Sequence, residues 1–361
     1  MKIIRKIAAL SLTAFAMLYA GCTGKSVGES SGSAPNSEAG RDDVEYQAKI
    51  SSKGYTGDVR PLTQIRRIES SLGGGGGWVY PVSLAASDHG PLFISDNNAH
   101  LIHYCRPDAD SIQTLSLQGS AKLSWPGTIQ MWRDRILISD NDGLKFFARD
   151  GSFERLARVY YQIHHFAVRP DGVIYINPMF RKQKASDPLI VEVDGTGKRL
   201  KSFGARLNRA NLLGFDDQVY LCAKADVVIA AFQHRPVVRI YSTAGDFIRE
   251  FNVSHPSFSG LDTLGKDQSF SHPGPDKYRL PTYLSGARII GERLFILLDL
   301  PQPEIVEFDF NGAEMNRYRA ALPSLAKAYR GFDVRRINGR YVFWLIASDR
   351  QDSASLIELA S

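Results

Sequence analysis

Cysteine is scarce in this chain. Three residues in 361, Cys22, Cys105 and Cys222, are too few to hold a fold together by disulfides. Helical periodicity is equally scarce: beyond residue 58 no convincing stretch repeats apolar residues at helical spacing, which leaves an all-β body. The apolar run Ile7 to Ala20 is too short to span a bilayer as a permanent helix, and no second candidate follows it. Neither sign of charge dominates. Of 44 basic residues, Lys2, Arg5 and Lys6 belong to the leader, which leaves 41 against 38 acidic ones, a balance of +3. No Lys/Arg cluster alternates with aromatics along one face, so no nucleic-acid partner is expected. Catalytic signatures are missing too. There is no Gly-x-Ser-x-Gly elbow, and the glycine run Gly73 to Gly77 is not followed by Lys-Ser/Thr, so it reads as a connector and not as a phosphate cradle.

What is present begins with an address. A basic head, the apolar run and Leu18-Tyr19-Ala20-Gly21-Cys22 make residues 1–21 a secretion signal. The junction resembles the lipobox of bacterial lipoproteins. That resemblance implies cleavage before Cys22, lipidation of Cys22, and a chain anchored to the membrane at the bacterial cell envelope, on the outer membrane or its periplasmic face. Tyr19 stands where lipoboxes carry an aliphatic residue, which leaves plain secretion with Cys22 unmodified open. Residues 22–57 are Ser- and Gly-rich without apolar periodicity, a flexible, disordered tether with a reach of about 30–35 Å.

Residues 58–361 repeat one unit. Leu92-Phe93-Ile94-Ser95-Asp96-Asn97 is echoed at Ile136 to Asn141, Val173 to Asn177, Gln218 to Cys222, Leu294 to Leu298 and Tyr341 to Ile346. Each copy follows a shorter strand and precedes a third strand, such as Val238-Arg239-Ile240-Tyr241, then a turn such as Asp150-Gly151 or Asn311-Gly312, then a fourth strand such as Phe247 to Phe251. Four antiparallel strands recurring about every 40 residues are the signature of a β-propeller. The last copy lacks a fourth strand and Val59 to Ile68 lacks a blade, so a six-bladed β-propeller with the N-terminal strand closing the last blade is expected. The pattern resembles NHL-like six-bladed propellers, in particular bacterial lipoproteins that join a lipobox, a polar tether and one ring.

In such a ring the second-to-third and inter-blade links share one face, and the longest links expected are Asn177 to Pro188, Ala223 to Pro236 and Asn252 to Tyr283. Candidate ligand-binding residues where the chain enters the blades on that face are Trp125, His165, Arg209, Asn211, Tyr283 and Arg330. Aromatics with Arg and His suit a polar, flat or anionic partner such as a protein, a peptide or a glycan. Asp96-Asn97 and Asp140-Asn141-Asp142 read as structural turns and not as calcium loops, because no downstream Glu follows. His164 and His165 do not read as a chelate, since neighbours on a strand point to opposite faces. No metal, cofactor or catalytic residue is assigned. Cys105 and Cys222 fall on separate blades, as buried free thiols. The function expected is a non-catalytic binding or scaffold propeller at the envelope. The alternative is an enzyme of the lactonase, hydrolase or lyase kind with its active site at the channel mouth.

Replacing Cys22 by Ala is expected to move the protein from the membrane fraction to the soluble fraction, because acyl chains supply an anchoring that a near-neutral body lacks. Fractionation at ordinary and high salt checks it, and retention of the variant on membranes at both salts counts against lipidation.

Overall fold

The computed structural model describes residues 59–69, 78–87, 90–118, 122–179, 184, 186–207, 217–259, 281–322, 328–348 and 354–361. All of these belong to one compact unit, Ala48–Gly265 with Leu280–Ser361. The leader, Cys22, the tether, Arg209 and Asn211 lie outside the described residues.

After β1 (Val59–Glu69) the strands form successive four-stranded meanders. The first is β2 (Pro81–Ala86), β3 (Leu92–Asp96), β4 (Leu101–Cys105) and β5 (Gln113–Thr114); the second is β6 (Ile129–Trp132), β7 (Arg135–Asp140), β8 (Gly143–Ala148) and β9 (Phe153–Ala157). The third is β10 (Gln162–Val168), β11 (Ile174–Met179), β12 (Ile190–Val193) and β13 (Arg199–Phe203); the fourth is β14 (Val219–Ala223), β15 (Val227–Phe232), β16 (Val237–Ser242) and β17 (Phe247–Asn252). These four are separate antiparallel sheets. The rest of the chain supplies β18 (Leu284–Ile290), β19 (Arg293–Leu298), β20 (Glu304–Phe308), β21 (Glu314–Ala320), β22 (Ala328–Ile337), β23 (Arg340–Ser348) and β24 (Ala354–Ala360). They join β1 in one eight-stranded sheet of order β18-β19-β20-β21-β1-β24-β23-β22.

Six separate sheets, as the repeat count leads one to expect, are therefore not what the hydrogen bonds make. The cause is β1. Its second part, Thr63 to Glu69, pairs antiparallel with β24, as the unassigned N-terminal strand requires, but Val59 to Leu62 runs on and pairs parallel with Arg317 to Ala320 of β21. A register shift between Gln64 and Arg66 leaves Ile65 more than half exposed and inverts the side-chain parity of the strand. Leu62 consequently packs in the cluster between β18–β21 and β22–β24, whereas Ile68, six residues on, packs on the opposite side against β2–β4.

The fourth repeat is offset from its expected assignment. Val219 to Cys222 is not a second strand but lies in the first strand of its meander, β14, and the second strand is β15, inside the stretch Ala223 to Pro236 expected to be a loop. Every residue of Val227-Val228-Ile229-Ala230-Ala231-Phe232 is buried, so the strand has no exposed polar face, and the alternation that marks a half-buried strand is missing.

Among the described residues six apolar clusters each join two neighbouring meanders, with side chains such as Phe93, Phe147, Tyr175, Phe232, Phe295 and Phe343 filling the space between sheets. The first strands of the meanders touch in a closed cycle, β2 to β6 to β10 to β14 to β18 to β22 and back to β2. Close approach there requires glycine: a Cβ on Gly286 of β18 would meet the Phe332 Cβ of β22 at 2.6 Å. The turns opposite the mouth are tight. Gly151 takes a φ of +88°, which its Asp-Gly turn needs.

Removing residues 59–69 is expected to destabilise the body far more than removing residues 23–48, because β1 alone covers the edges of β21 and β24. Leu62→Ala and Ile68→Ala should each cost about 2–4 kcal/mol in denaturant unfolding. Equal melting temperatures for the two deletions would show that β1 does not close the structure.

Candidate functional site

The cycle of first strands surrounds a cavity of about 430 Å3, lined from all six meanders. What aims side chains into it is a repeated irregularity. β2, β10, β18 and β22 each carry a register shift near their start, between Pro81 and Ser83, Ile163 and His165, Leu284 and Gly286, and Tyr329 and Gly331. The residues left without a partner in the ladder are Val82, His164, Ser285 and Arg330, and all four line the cavity. The chain just before β6 behaves alike: Gly127 donates to the Ser139 carbonyl at 2.8 Å, and Ser139 donates to the Thr128 carbonyl at 2.9 Å. The bulge also removes the parity objection to the histidine pair, because His164 and His165 both line the cavity.

Both histidines are held neutral. His165 is 5% exposed; its Nδ1 accepts the Leu221 N–H at 3.0 Å, which puts its own proton on Nε2. Burial drives its pKa well below the usual value, the positive charge of Arg288 adds to this, and the neighbouring His164 opposes a second proton in the same place. His164 is half-buried as a side chain, but its Nε2 is sheltered from solvent and has no hydrogen-bond partner among the described residues. Burial, then the neighbouring His234, lowers its pKa to about 3. Asp299 moves the other way. Burial raises its carboxyl above the ordinary value, while a hydrogen bond donated by Ser285 Oγ at 2.7 Å opposes the rise. Asp299 is the single carboxylate among the described residues of the cavity wall. Tyr220, whose phenol is pushed up by burial and then by Asp299, sets its ring edge-on to His165 at 5.5 Å.

Arg288 lines both this cavity and a smaller one of about 130 Å3. Its Nε lies 3.3 Å from Asp333 Oδ1, and it donates to the Leu84 carbonyl at 3.2 Å, so it is tied across the centre to β22 and β2. Asp333 is further fixed by the Ala86 N–H at 2.6 Å. Cys222 lines the smaller cavity, its thiol pushed up to about 12 mainly by burial, and both Cys222 and Cys105 are free and buried, on separate sheets.

Of the residues singled out in the sequence, His165 and Arg330 line the mouth cavity, and the Arg330 guanidinium sits over the Tyr80 ring at 3.8 Å from its centroid. Trp125 lies outside that lining. It is 47% exposed and meets His100 edge-on at 5.8 Å. Tyr283 is 4% exposed and packs in the cluster between the fourth meander and β18–β20, against Phe258, while its neighbour Thr282 reaches the cavity. Sequence reasoning placed His164 beside His165 at the entry to this face and missed Tyr220, Ser285, Arg288 and Asp299. The available signal was glycine inside a strand, Ser285-Gly286 and Arg330-Gly331, which marks bulges.

The Asp turns are structural. The Asp96 carboxylate accepts the N–H groups of Val79, Tyr80 and Ala99, and Asp140 accepts those of Ser124, Trp125 and Asn141 together with the Lys145 ammonium. Each pins the incoming chain to the end of a second strand. No group of three or more His, Cys, Asp or Glu placed to hold a metal ion occurs among the described residues.

No family model matches the chain, and no curated protein matches it. Solved structures do. A putative exported protein from Bacteroides fragilis is 13% identical, over 83% of this chain and 95% of its own, with a TM-score of 0.52. A calcium-binding protein, regucalcin, from Agrobacterium tumefaciens is 13% identical over 84% and 96%, with a TM-score of 0.51. A luciferin-regenerating enzyme is 10% identical over 82% and 95%, with a TM-score of 0.50. At these identities the likeness is one of fold alone: the chain is an all-β propeller.

A group whose pKa is lowered on folding stabilises the fold above its unfolded pKa, and that stability fades as the pH falls. His164 should therefore cost up to about 1.4 kcal/mol per pH unit as pH drops from 6.5 toward 3. Asp299, raised on folding, has the opposite sign, with its contribution present at low pH and lost as pH rises above the ordinary carboxyl range. Urea unfolding of His164→Gln at pH 4.5–6.5 should show a shallower slope than the parent; identical slopes would mean that His164 is not held neutral.

Proposed function

We propose that the chain is a six-bladed propeller, NHL-like in plan, secreted and anchored at the cell envelope by lipid on Cys22, and that it is an enzyme acting on a small carbonyl compound, a lactone or ester, at the mouth of the ring. The six-blade count takes the eight-stranded sheet as two blades fused through β1, supported by six inter-sheet clusters and the closed cycle of first strands. The catalytic reading rests on one observation: a carboxyl with its pKa raised and two histidines held neutral face one cavity. A raised carboxylate is a better base than an ordinary one: Asp299 takes the proton from a water that attacks the carbonyl carbon, and returns it to the alkoxide oxygen as the acyl C–O bond of the lactone or ester breaks. Neutral His165, with its proton fixed on Nε2, donates to the carbonyl oxygen as charge builds there, and Arg330 holds an anionic part of the substrate.

A divalent ion does not fit the described donor set. Among the described residues Asp299 is the only carboxylate on the wall, and Arg288 and Arg330 share the cavity.

Non-catalytic capture of a glycan, peptide or protein is the second reading. The exposed Trp125, edge-on to His100, and Arg330 over Tyr80 favour it, since exposed aromatics and a stacked guanidinium suit planar or anionic surfaces.

A panel of lactones and aryl esters tests the catalytic reading. Asp299→Asn should lower kcat/KM about 10²- to 10⁴-fold with an unchanged melting temperature. The parent should lose activity on acidification as Asp299 is protonated. No turnover of any panel member, or an Asp299→Asn variant as active as the parent, would overturn the catalytic reading in favour of capture.

A further inference from the structure

The hydroxyl of Ser285 reaches the mouth and has no task in the hydrolytic step. Ser285 stands in the register shift of β18, where Leu284 pairs with Leu298 and Gly286 with Leu297, so it has no partner across the ladder and lines the cavity. The backbone has no slack there, because Gly286 lies against the Phe332 side chain with room for no Cβ.

The same geometry in β3 carries its aspartate one residue earlier. Pro81 pairs with Asp96 and Ser83 with Ser95, so Asp96 stands where β19 has Leu298. Asp96 accepts three amides, and His103 Nε2 lies 3.6 Å away. Burial is outweighed by these partners, and the carboxyl is held below its ordinary value. Asp299 comes one residue later and is half-buried on the cavity wall. Its own N–H is spent on the Tyr283 carbonyl at 2.9 Å. Among the described residues its carboxylate accepts one hydrogen bond, from Ser285 Oγ to Oδ1 at 2.7 Å, and Oδ2 accepts none.

No cation pairs with Asp299 among the described residues. Arg288 on β18 is tied to Asp333, Arg330 on β22 stacks on Tyr80, and His164 and His165 on β10 are neutral. The phenols of Tyr220 on β14 and Tyr329 on β22 are raised by burial and then by the Asp299 charge. The Ser285 hydroxyl is thus the one described group that opposes the effect of burial on Asp299.

We propose that Ser285 is the positioning residue of the mouth: by holding Oδ1 of Asp299 it presents Oδ2 to the attacking water and favours the charged form that acts as base. The proposal rests on the hydrolytic reading, and its hold on Asp299 can be read without turnover.

Carbon-13 NMR of labelled aspartate carboxyls supplies that reading, with the Asp299 signal assigned by its loss in Asp299→Asn. Ser285→Ala should move the Asp299 titration upward by about one pH unit, since a hydrogen bond to the charged form is lost. Ser285→Cys, with its weaker donor, should fall between the two. On any ester or lactone that turns over, the acid limb of the kcat/KM profile should move with the titration, and just above the parent limb Ser285→Ala should lose about 10-fold in kcat with KM unchanged. Ser285→Ala combined with Asp299→Asn should cost no more than Asp299→Asn alone. An Asp299 titration that stays in place in Ser285→Ala overturns the proposal, and so does an additive loss in the double variant, which would mean that Ser285 acts on its own. If the titration moves but no panel member turns over, the catalytic reading falls and the hold of Ser285 on Asp299 stands.

Discussion

The pairing of β1 with both β24 and β21 is the constraint on which the structure depends. A ring of meanders has no natural end, and a chain that stopped at β24 would leave two facing strands with open rows of N–H and C=O groups. β1 covers both by running antiparallel along Thr63 to Glu69 and parallel along Val59 to Leu62. One bulged residue, Ile65, inverts the strand midway, so Leu62 and Ile68 complete two different inter-sheet cores.

The site at the mouth grows from the same kind of irregularity. Regular first strands would turn alternate side chains into the inter-sheet cores; the register shifts in β2, β10, β18 and β22 release one further residue each toward the centre. Histidine, serine and arginine stand at three of those four positions. Burial then divides the titratable groups, lowering the histidines and raising Asp299, because a low-dielectric wall disfavours whichever form is charged. One physical cause thus produces a neutral donor and a strengthened base within one cavity.

Below the mouth, Arg288 and Asp333 tie β18, β22 and β2 across the centre and separate the mouth from the smaller cavity beside Cys222. A buried ion pair of this kind contributes little net stability against its desolvation, but loss of either member would strand a charge in the core, so the pair defines the floor of the mouth. The carboxylates of Asp96 and Asp140 play a peripheral counterpart, converting the incoming chain of two blades into a fixed rim by accepting its amides.

The sequence by itself determined the all-β class, the recurrence of four strands and the need for an N-terminal strand beside the last one, because each rests on local composition and turn chemistry: the Ile-Leu-Ile-Ser-Asp-Asn echo and the Asp-Gly turns. It also determined that Asp96 and Asp140 are turn residues, since the side-chain-to-amide bonds concerned are made near strand ends. Tertiary structure decided the rest. Val227 to Phe232 reads as no strand until both of its faces are seen to be buried. The joining of two sheets through β1 needs a parallel pairing between segments more than 250 residues apart, which no local pattern encodes. Period-two parity excludes His164 and His165 from acting together, and only a bulge, a property of the ladder between two strands, returns both to one cavity. Tyr283 carries the residue type of a ligand contact, yet its burial against Phe258 depends on which blade edges meet there.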